Sequence, residues 1–210
     1  QQAIPAIDYL MENCKGDDGV LKVFLFGSDY VYPRTTNTII KGMQPDYGFE
    51  IVGEEYIPLG YTDCSTVITK IQQTQPDVII NTINGDSNVS FFKQYRDAGL
   101  SPDKIQVMSF SAYEEDIRGM GAEYSEGTLF AWNYFQSLDT EASKSFTEKF
   151  KSLYGEDKVT GDPVVNSYEG VYLWKAAVEA AGTFDIEPVI AQCETGNVEA
   201  ETPEGTVTIA

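Results

Sequence analysis

The stretch "QPDVIINTINGDSNVSFFKQYRDAGL", residues 75–100, carries the pattern that decides the fold. Pro76 stops whatever helix precedes it. "DVIINTI" (77–83) is a nearly continuous apolar run, as a strand buried on both faces requires. A short polar loop follows. "SNVSFFKQYRDAGL" (87–100) then has the spacing of an amphipathic helix, which Gly99 ends.

Outward from this unit, the same alternation repeats. Toward the N-terminus, "LKVFLF" (21–26) and "FEIVGEEYIP" (49–58) read as strands. "RTTNTIIKGM" (34–43) reads as a helix weakened by β-branched residues. "CSTVITKIQQTQ" (64–75) sets Val67, Ile68 and Ile71 on one helical face, with Asp63 as the expected N-cap. Toward the C-terminus come a strand "IQVMSF" (105–110), a short helix "YEEDIRGM" (113–120) and a closing strand "GTLFAWNYF" (127–135). An opening helix, "IPAIDYLMEN", lines up Ile4, Ile7, Leu10 and Met11. The expected fold is α/β: a parallel sheet with helices on both faces, joined by right-handed crossovers.

After Phe135 the rhythm changes. Two helical patterns, 139–155 and 162–182, follow one another without a strand between them. The second has Asp162 as expected cap, Pro163 in the first turn and Gly182 beyond the last. They read as the outer layer of another lobe whose strands lie outside the chain. The chain begins without Met inside a helical pattern and ends inside a strand pattern, so it reads as a fragment. The lack of a signal peptide is then uninformative about export.

Composition narrows the function. A net charge of -19 repels phosphate backbones and anionic membranes, which sets nucleic acid aside. The absence of histidine removes the commonest general base and zinc ligand. Cys14, Cys64 and Cys193 show no CxxC spacing and read as isolated small residues rather than a disulfide framework. No apolar run approaches the ~20 residues of a membrane span. "FGSDY" lacks the second glycine of a nucleophile elbow, and "INGDSN" is too short to cradle a pyrophosphate. No metal or cofactor is expected.

Ligands of open α/β sheets sit beyond the carboxyl ends of the strands. The segments there are Gly27–Pro33, Asn84–Asn88 and Ser109–Glu114. They offer hydroxyls, amides and tyrosine rings, which suit a small, neutral, polar ligand better than they suit catalysis. Glu114, Glu115 and Asp116 fit a metal or acid–base pair on one reading. On the other they form a solvated first helical turn favoured by the helix dipole. Tyr30 and Tyr32 fit either a ligand contact or rim packing.

The segments "GSDYVYPRT", "EEYIPLGYTDCSTVITKI", residues 75–100, "EEDIRGMGAE", "AWNYFQSLDT" and "TPEGTVTI" resemble the type I periplasmic solute-binding proteins of ABC transporters. Within them they look most like the urea and short-chain amide branch of the Leu/Ile/Val-binding-protein-like family. The resemblance implies two α/β lobes closing on a ligand, a periplasmic or extracytoplasmic location, and membrane permease subunits as partners. It implies a helix leading from the first lobe over 1–20, a complete second lobe over 21–135, and returning first-lobe helices over 136–200. It further implies the start of the last crossover segment over 201–210, with the N-terminal half of the first lobe missing. Tyr30 and Tyr32 match the amide-contacting tyrosine pair of that branch, with strand alternation expected to turn both rings to one side. Asn84 falls where leucine-type binders have a ligand-contacting aromatic. Ser111 falls where they have the acid that holds the ligand's ammonium. Cys64 departs from the aromatic expected in its motif. The function implied is capture of urea or a small neutral amide for uptake, without enzymatic activity. An amide-sensing receptor or regulatory domain of the same fold is the alternative. An amide hydrolase fits poorly, because histidine is absent and Cys64 lies in no nucleophile motif.

Overall fold

The computed structural model describes residues 2–209. They form two compact units that divide between Trp132 and Asn133.

The first unit is a five-stranded parallel sheet in the order β2-β1-β3-β4-β5. Its strands are β1 (Lys22–Ser28), β2 (Glu50–Ile57), β3 (Val78–Thr82), β4 (Gln106–Ser109) and β5 (Leu129–Phe130). The helices are α1 (Ala3–Asn13), α2 (Val31–Tyr47), α3 (Ser65–Thr74), α4 (Asp86–Asp97), α5 (Glu114–Met120) and α6 (Ala122–Ser125). The α/β class expected from the alternation is the one observed.

Successive residues of β1 explain why helices cover both faces. Phe24 and Phe26 point into one core with Ile68 and Ile71 of α3 and Phe91, Phe92 and Tyr95 of α4. Val23 and Leu25 point into the other with Ile7 and Leu10 of α1 and Ile40 of α2. The side-chain period of two divides one apolar run between two cores. All five residues of β3 are buried for the same reason.

The closing strand is shorter than the apolar run suggested. Only Leu129 and Phe130 pair with β4. The Trp132 indole then donates to the Ala112 carbonyl at 2.7 Å. The backbone N–H groups of Asn133 and Tyr134 both donate to Asp162 Oδ1 at 3.0 Å, so a side chain replaces the sheet partner. Asp162 is therefore not the helix cap expected of it. Gly161 holds that position, and the Asp162 carboxylate is taken by Asn133, Tyr134 and Asn166. Cys64 likewise occupies the cap position expected for Asp63, whose Oδ1 accepts from the Ser65 N–H at 3.0 Å.

The second unit comprises α7 (Glu141–Tyr154), α8 (Asp162–Ala181), α9 (Ile186–Cys193) and the antiparallel hairpin β6 (Glu199–Thr202)–β7 (Gly205–Thr208). The expected helices at 139–155 and 162–182 correspond to α7 and α8. The strand pattern at the end of the chain corresponds to β7, whereas its antiparallel partner β6 and helix α9 were not expected. Pro188 resembles a helix breaker in sequence, but it sits in the first turn of α9, where its missing N–H costs little. Aromatic rings of α7 and α8 pack at tilted angles along a groove of about 640 Å³: Phe146 against Tyr168 at 4.9 Å, and Tyr168 against Tyr172 at 4.6 Å.

Glu204, in the hairpin turn, faces Glu169 and Asp162 of α8. Its carboxyl is pushed up to about 7 by burial first and by those two carboxylates second. The folded unit thus binds this proton more tightly than the unfolded chain does. Stability held while Glu204 is protonated falls as pH rises from the ordinary carboxylate range through about 7. Glu204→Gln is expected to raise the melting temperature at pH 8 and leave it nearly unchanged near pH 4.5. Thermal unfolding at both pH values checks this.

Candidate functional site

The strand order reverses direction between β1 and β3. The chain leaves β1 toward β2 on one side, and β3 continues toward β4 on the other. Such a switch point leaves a crevice at the carboxyl ends of the two strands. One hydrogen bond spans this point: the Asn84 N–H donates to Ser28 Oγ at 3.0 Å.

Tyr30 follows β1 as the cap residue of α2, in an extended conformation. Tyr32 is not on a strand end but in the first turn of α2, which corrects the expectation of strand alternation. The reason is local. Gly27 has no side chain, so Pro33 and Thr82 pack directly against it, and a Cβ there would lie 2.8 Å from Pro33 Cβ and 2.4 Å from Thr82 Oγ1. With Pro33 tolerated in its first turn, the helix starts at Val31, three residues earlier than its polar run suggested. The two rings still lie near one another, 6.4 Å between centroids and tilted by 41°. Both are half-buried. The Tyr32 hydroxyl donates to the Phe110 carbonyl at 2.9 Å, which ties α2 to the loop after β4. Gln2 Oε1 lies 3.2 Å from the same hydroxyl. Burial pushes the Tyr30 phenol above its ordinary value, keeping it a neutral donor.

Asn84 and Ser111 meet at one peptide. The Ser111 hydroxyl donates to the Ile83 carbonyl, and the next residue, Asn84, donates from Nδ2 to the Thr82 carbonyl at 3.0 Å. Beneath them lies a buried amide network that the apolar pattern concealed. Asn81 Nδ2 donates to Asn88 Oδ1 at 2.8 Å, and Asn81 Oδ1 accepts from the Ile83 N–H at 2.8 Å. Asn88 Nδ2 donates to the Ile83 carbonyl. Asn88, read from sequence as part of the rim, is fully buried. An asparagine inside an otherwise apolar strand was the available signal for this network. Nothing in the sequence marked Gln2, whose Nε2 donates to the Ala131 carbonyl at 2.7 Å.

The rim carries both paired and clustered charges. Arg34, in the first turns of α2, pairs with Asp29 at 2.6 Å, and its guanidinium lies 4.3 Å from the centre of the Tyr56 ring. Asp86 and Glu114–Asp116 fill the first turns of α4 and α5. Of the α5 trio only Glu115 is exposed, which departs from a solvated turn: Asp116 accepts from the Tyr113 N–H at 3.1 Å, and burial holds its carboxyl above its ordinary value. Among the described residues no group of three or more His, Cys, Asp or Glu side chains is arranged to hold a metal ion. Cys64 is buried in the core, and its thiol is pushed up to about 11 by burial, so it offers little thiolate at neutral pH.

Comparison with known proteins agrees with this architecture. The family model described as periplasmic binding protein domain matches residues 1–210. Over 169 residues the chain is 27% identical to Leu/Ile/Val-binding protein homolog 6 of Brucella melitensis, covering 79% of this chain and 43% of that protein. A solute-binding protein of an ABC transporter from Rhodopseudomonas palustris HaA2, in complex with p-hydroxybenzoic acid, is similar with a TM-score of 0.85 at 26% identity. That match covers 99% of this chain and 55% of the other. The leucine-binding protein LivK of Thermotoga maritima shares the fold, with a TM-score of 0.79 at 20% identity over 97% of this chain and 56% of its own. The chain spans about half the length of these relatives.

The packing at Gly27 generates a prediction. Gly27→Ala is expected to destabilise the protein by about 1–3 kcal/mol, because strand and helix cannot both keep their places around a new methyl group. Chemical denaturation measures the loss. A near-ultraviolet circular dichroism change reports the displaced Tyr30–Tyr32 pair.

Proposed function

This chain belongs to the periplasmic binding protein domain family, and we propose that the whole protein is the extracytoplasmic solute-binding component of an ABC uptake system. In this reading it captures urea or another small neutral amide and presents it to membrane permease subunits. The first unit supplies one complete lobe, and the second unit returns to the other. Tyr30, Tyr32, Asn84 and Ser111 contact the solute.

The observation that carries the ligand class is that the four proposed contacts, Tyr30, Tyr32, Asn84 and Ser111, are all uncharged side chains. The nearby Arg34 is already paired with Asp29, so an incoming carboxylate would have to compete for it. Ser111 supplies no counter-charge for an ammonium group, and burying an unpaired ion is costly. A planar neutral amide needs neither partner. Tyrosine rings can cover its faces, while Tyr30 remains able to donate to its carbonyl.

A second reading, an aromatic carboxylate, is favoured by the hydroxybenzoate held by the Rhodopseudomonas relative and by the tyrosine pair here. Calorimetry on the full-length protein against urea, formamide, acetamide, leucine and 4-hydroxybenzoate separates the two. Urea or an amide is expected to bind at least about tenfold more tightly than the two carboxylates, a difference of about 1.4 kcal/mol. Preferential binding of 4-hydroxybenzoate would move the function to the second reading.

A further inference from the structure

We propose that Glu169 and Glu204 share one proton, and that this proton latches the turn of the β6–β7 hairpin onto α8.

The hairpin lies along α8, and its two ends are held by different means. At the open end Val198 is buried with Ala177 and Val178 of α8 and Val189 of α9, and Ile209 packs beside them. The Ile209 N–H donates to the Val198 carbonyl at 2.9 Å, which closes that end. At the other end the chain turns between Thr202 and Gly205. There the Thr202 hydroxyl donates to the Gly205 carbonyl at 2.8 Å and accepts from the Glu204 N–H at 3.2 Å. The turn is fixed from within, and it carries the Glu204 side chain toward Glu169, nearer the start of α8.

Two carboxyl groups thus approach where each lacks a partner. Glu169 is 5% exposed, and Oε1 of each side chain is buried without a hydrogen-bond partner among the described residues. Two such carboxylates repel, and each forfeits hydrogen bonds that water would give it. One proton answers both problems. The protonated carboxyl donates, the other accepts, and the pair carries one charge in place of two. Asp162 also faces Glu204, but its oxygens already accept from Asn133, Tyr134 and Asn166, so it contributes negative charge and no proton site. The other charged groups about the turn are exposed: Glu201, whose Oε1 accepts from the Thr206 hydroxyl at 2.6 Å, and Lys149, on the α7 side of the aromatic groove. Tyr168 lines that groove too, and its phenol is held above its ordinary value by the Tyr172 hydroxyl and by burial, so it stays neutral. Among the described residues the carboxylates are not arranged to hold a metal ion, which leaves a proton as the cation the pair takes.

The docked turn keeps this proton up to about pH 7, whereas a released, solvated turn gives it up near the ordinary carboxylate range. The latch is therefore tightest below that range, loosens as pH rises, and is weakest above about 7. Thr202 and Pro203 form one wall of the groove lined by the rings of α7 and α8. Loosening the turn moves that wall and leaves the open end in place.

The test follows amide hydrogen exchange in the full-length protein at pH 5 and pH 8, with intrinsic exchange rates divided out. The Glu204 N–H reports the turn, and the Ile209 N–H reports the open end. Protection at Glu204 is expected to fall at least about tenfold between the two pH values, with Ile209 nearly unchanged. Glu169→Gln and Glu204→Gln each supply an amide that donates in the proton's place, so in either variant the turn is expected to stay protected at both pH values. In Glu169→Gln the Glu204 carboxyl, followed by carbon-13 NMR, is expected to titrate lower than in the wild-type protein. Equal loss of protection at both ends would mean unfolding of the whole unit and would overturn the latch. A Glu169→Gln turn that responds to pH as the wild-type turn does would overturn the shared proton, as would a wild-type turn indifferent to pH. A Glu204 titration that moves with added calcium would make the pair a metal site and overturn it as well. The wild-type comparison stands even if a variant fails to fold.

Discussion

The Ile83–Asn84 peptide, where β3 ends, is held from every side, and the rim of the first unit depends on it. Its carbonyl accepts from Asn88 of α4 and from Ser111 beyond β4, while the Asn84 N–H reaches Ser28 at the end of β1. One peptide thus registers three chain segments at the carboxyl edge of the sheet. Buried amides carry this role well because each must be satisfied, and the arrangements that satisfy all of them are few. A hydrophobic plug would fill the same volume without specifying where a loop begins.

A second constraint acts beside it. Gly27 lets Pro33 and Thr82 close on the end of β1, and that contact sets where α2 begins. The Tyr32 hydroxyl then joins α2 to the Phe110 carbonyl, one residue before Ser111. Two interlocked contacts, one through backbone approach and one through hydrogen bonds, bring Tyr30, Tyr32, Asn84 and Ser111 to the same edge. Their side chains are neutral, although charged residues lie nearby. Arg34 is held by Asp29, and the acidic residues lie on the first turns of α4 and α5. Selectivity in such a setting comes from hydrogen-bond direction and shape more than from charge.

The second unit solves a different problem. Among the described residues it has no parallel sheet of its own, and its apolar surfaces meet through aromatic rings along α7 and α8 and through the small cluster of Ala177, Val178, Val189 and Val198. It also holds buried carboxylates. Glu169 and Glu204 each have a buried oxygen without a hydrogen-bond partner, and they lie close enough to influence one another. The proton affinity of Glu204 follows from that proximity and from burial.

The alternation of apolar runs with helical patterns was enough to establish the α/β class and the existence of most elements. A strand buried on both faces and an amphipathic helix have different periods, and both periods are local properties of the chain. The tyrosines, hydroxyls and amides of the strand-end loops were legible for the same reason, since residue types after each strand need no geometry to be listed. Boundaries were not legible where tertiary partners decide them. The run 127–135 pairs for only two residues because Trp132 and Asp162 supply other partners. Asp162 looked like a cap because it precedes a helix, but its carboxylate answers to backbone groups 28 and 29 residues away. Tyr32 joined a helix because Gly27 and Pro33 meet in space. The direction of the Ser111 hydroxyl depends on a carbonyl in another loop, 28 residues away. Periodicity is written in neighbouring residues and determines which elements form. The partner that ends an element or claims a proton is distant in sequence, so only the folded chain decides it.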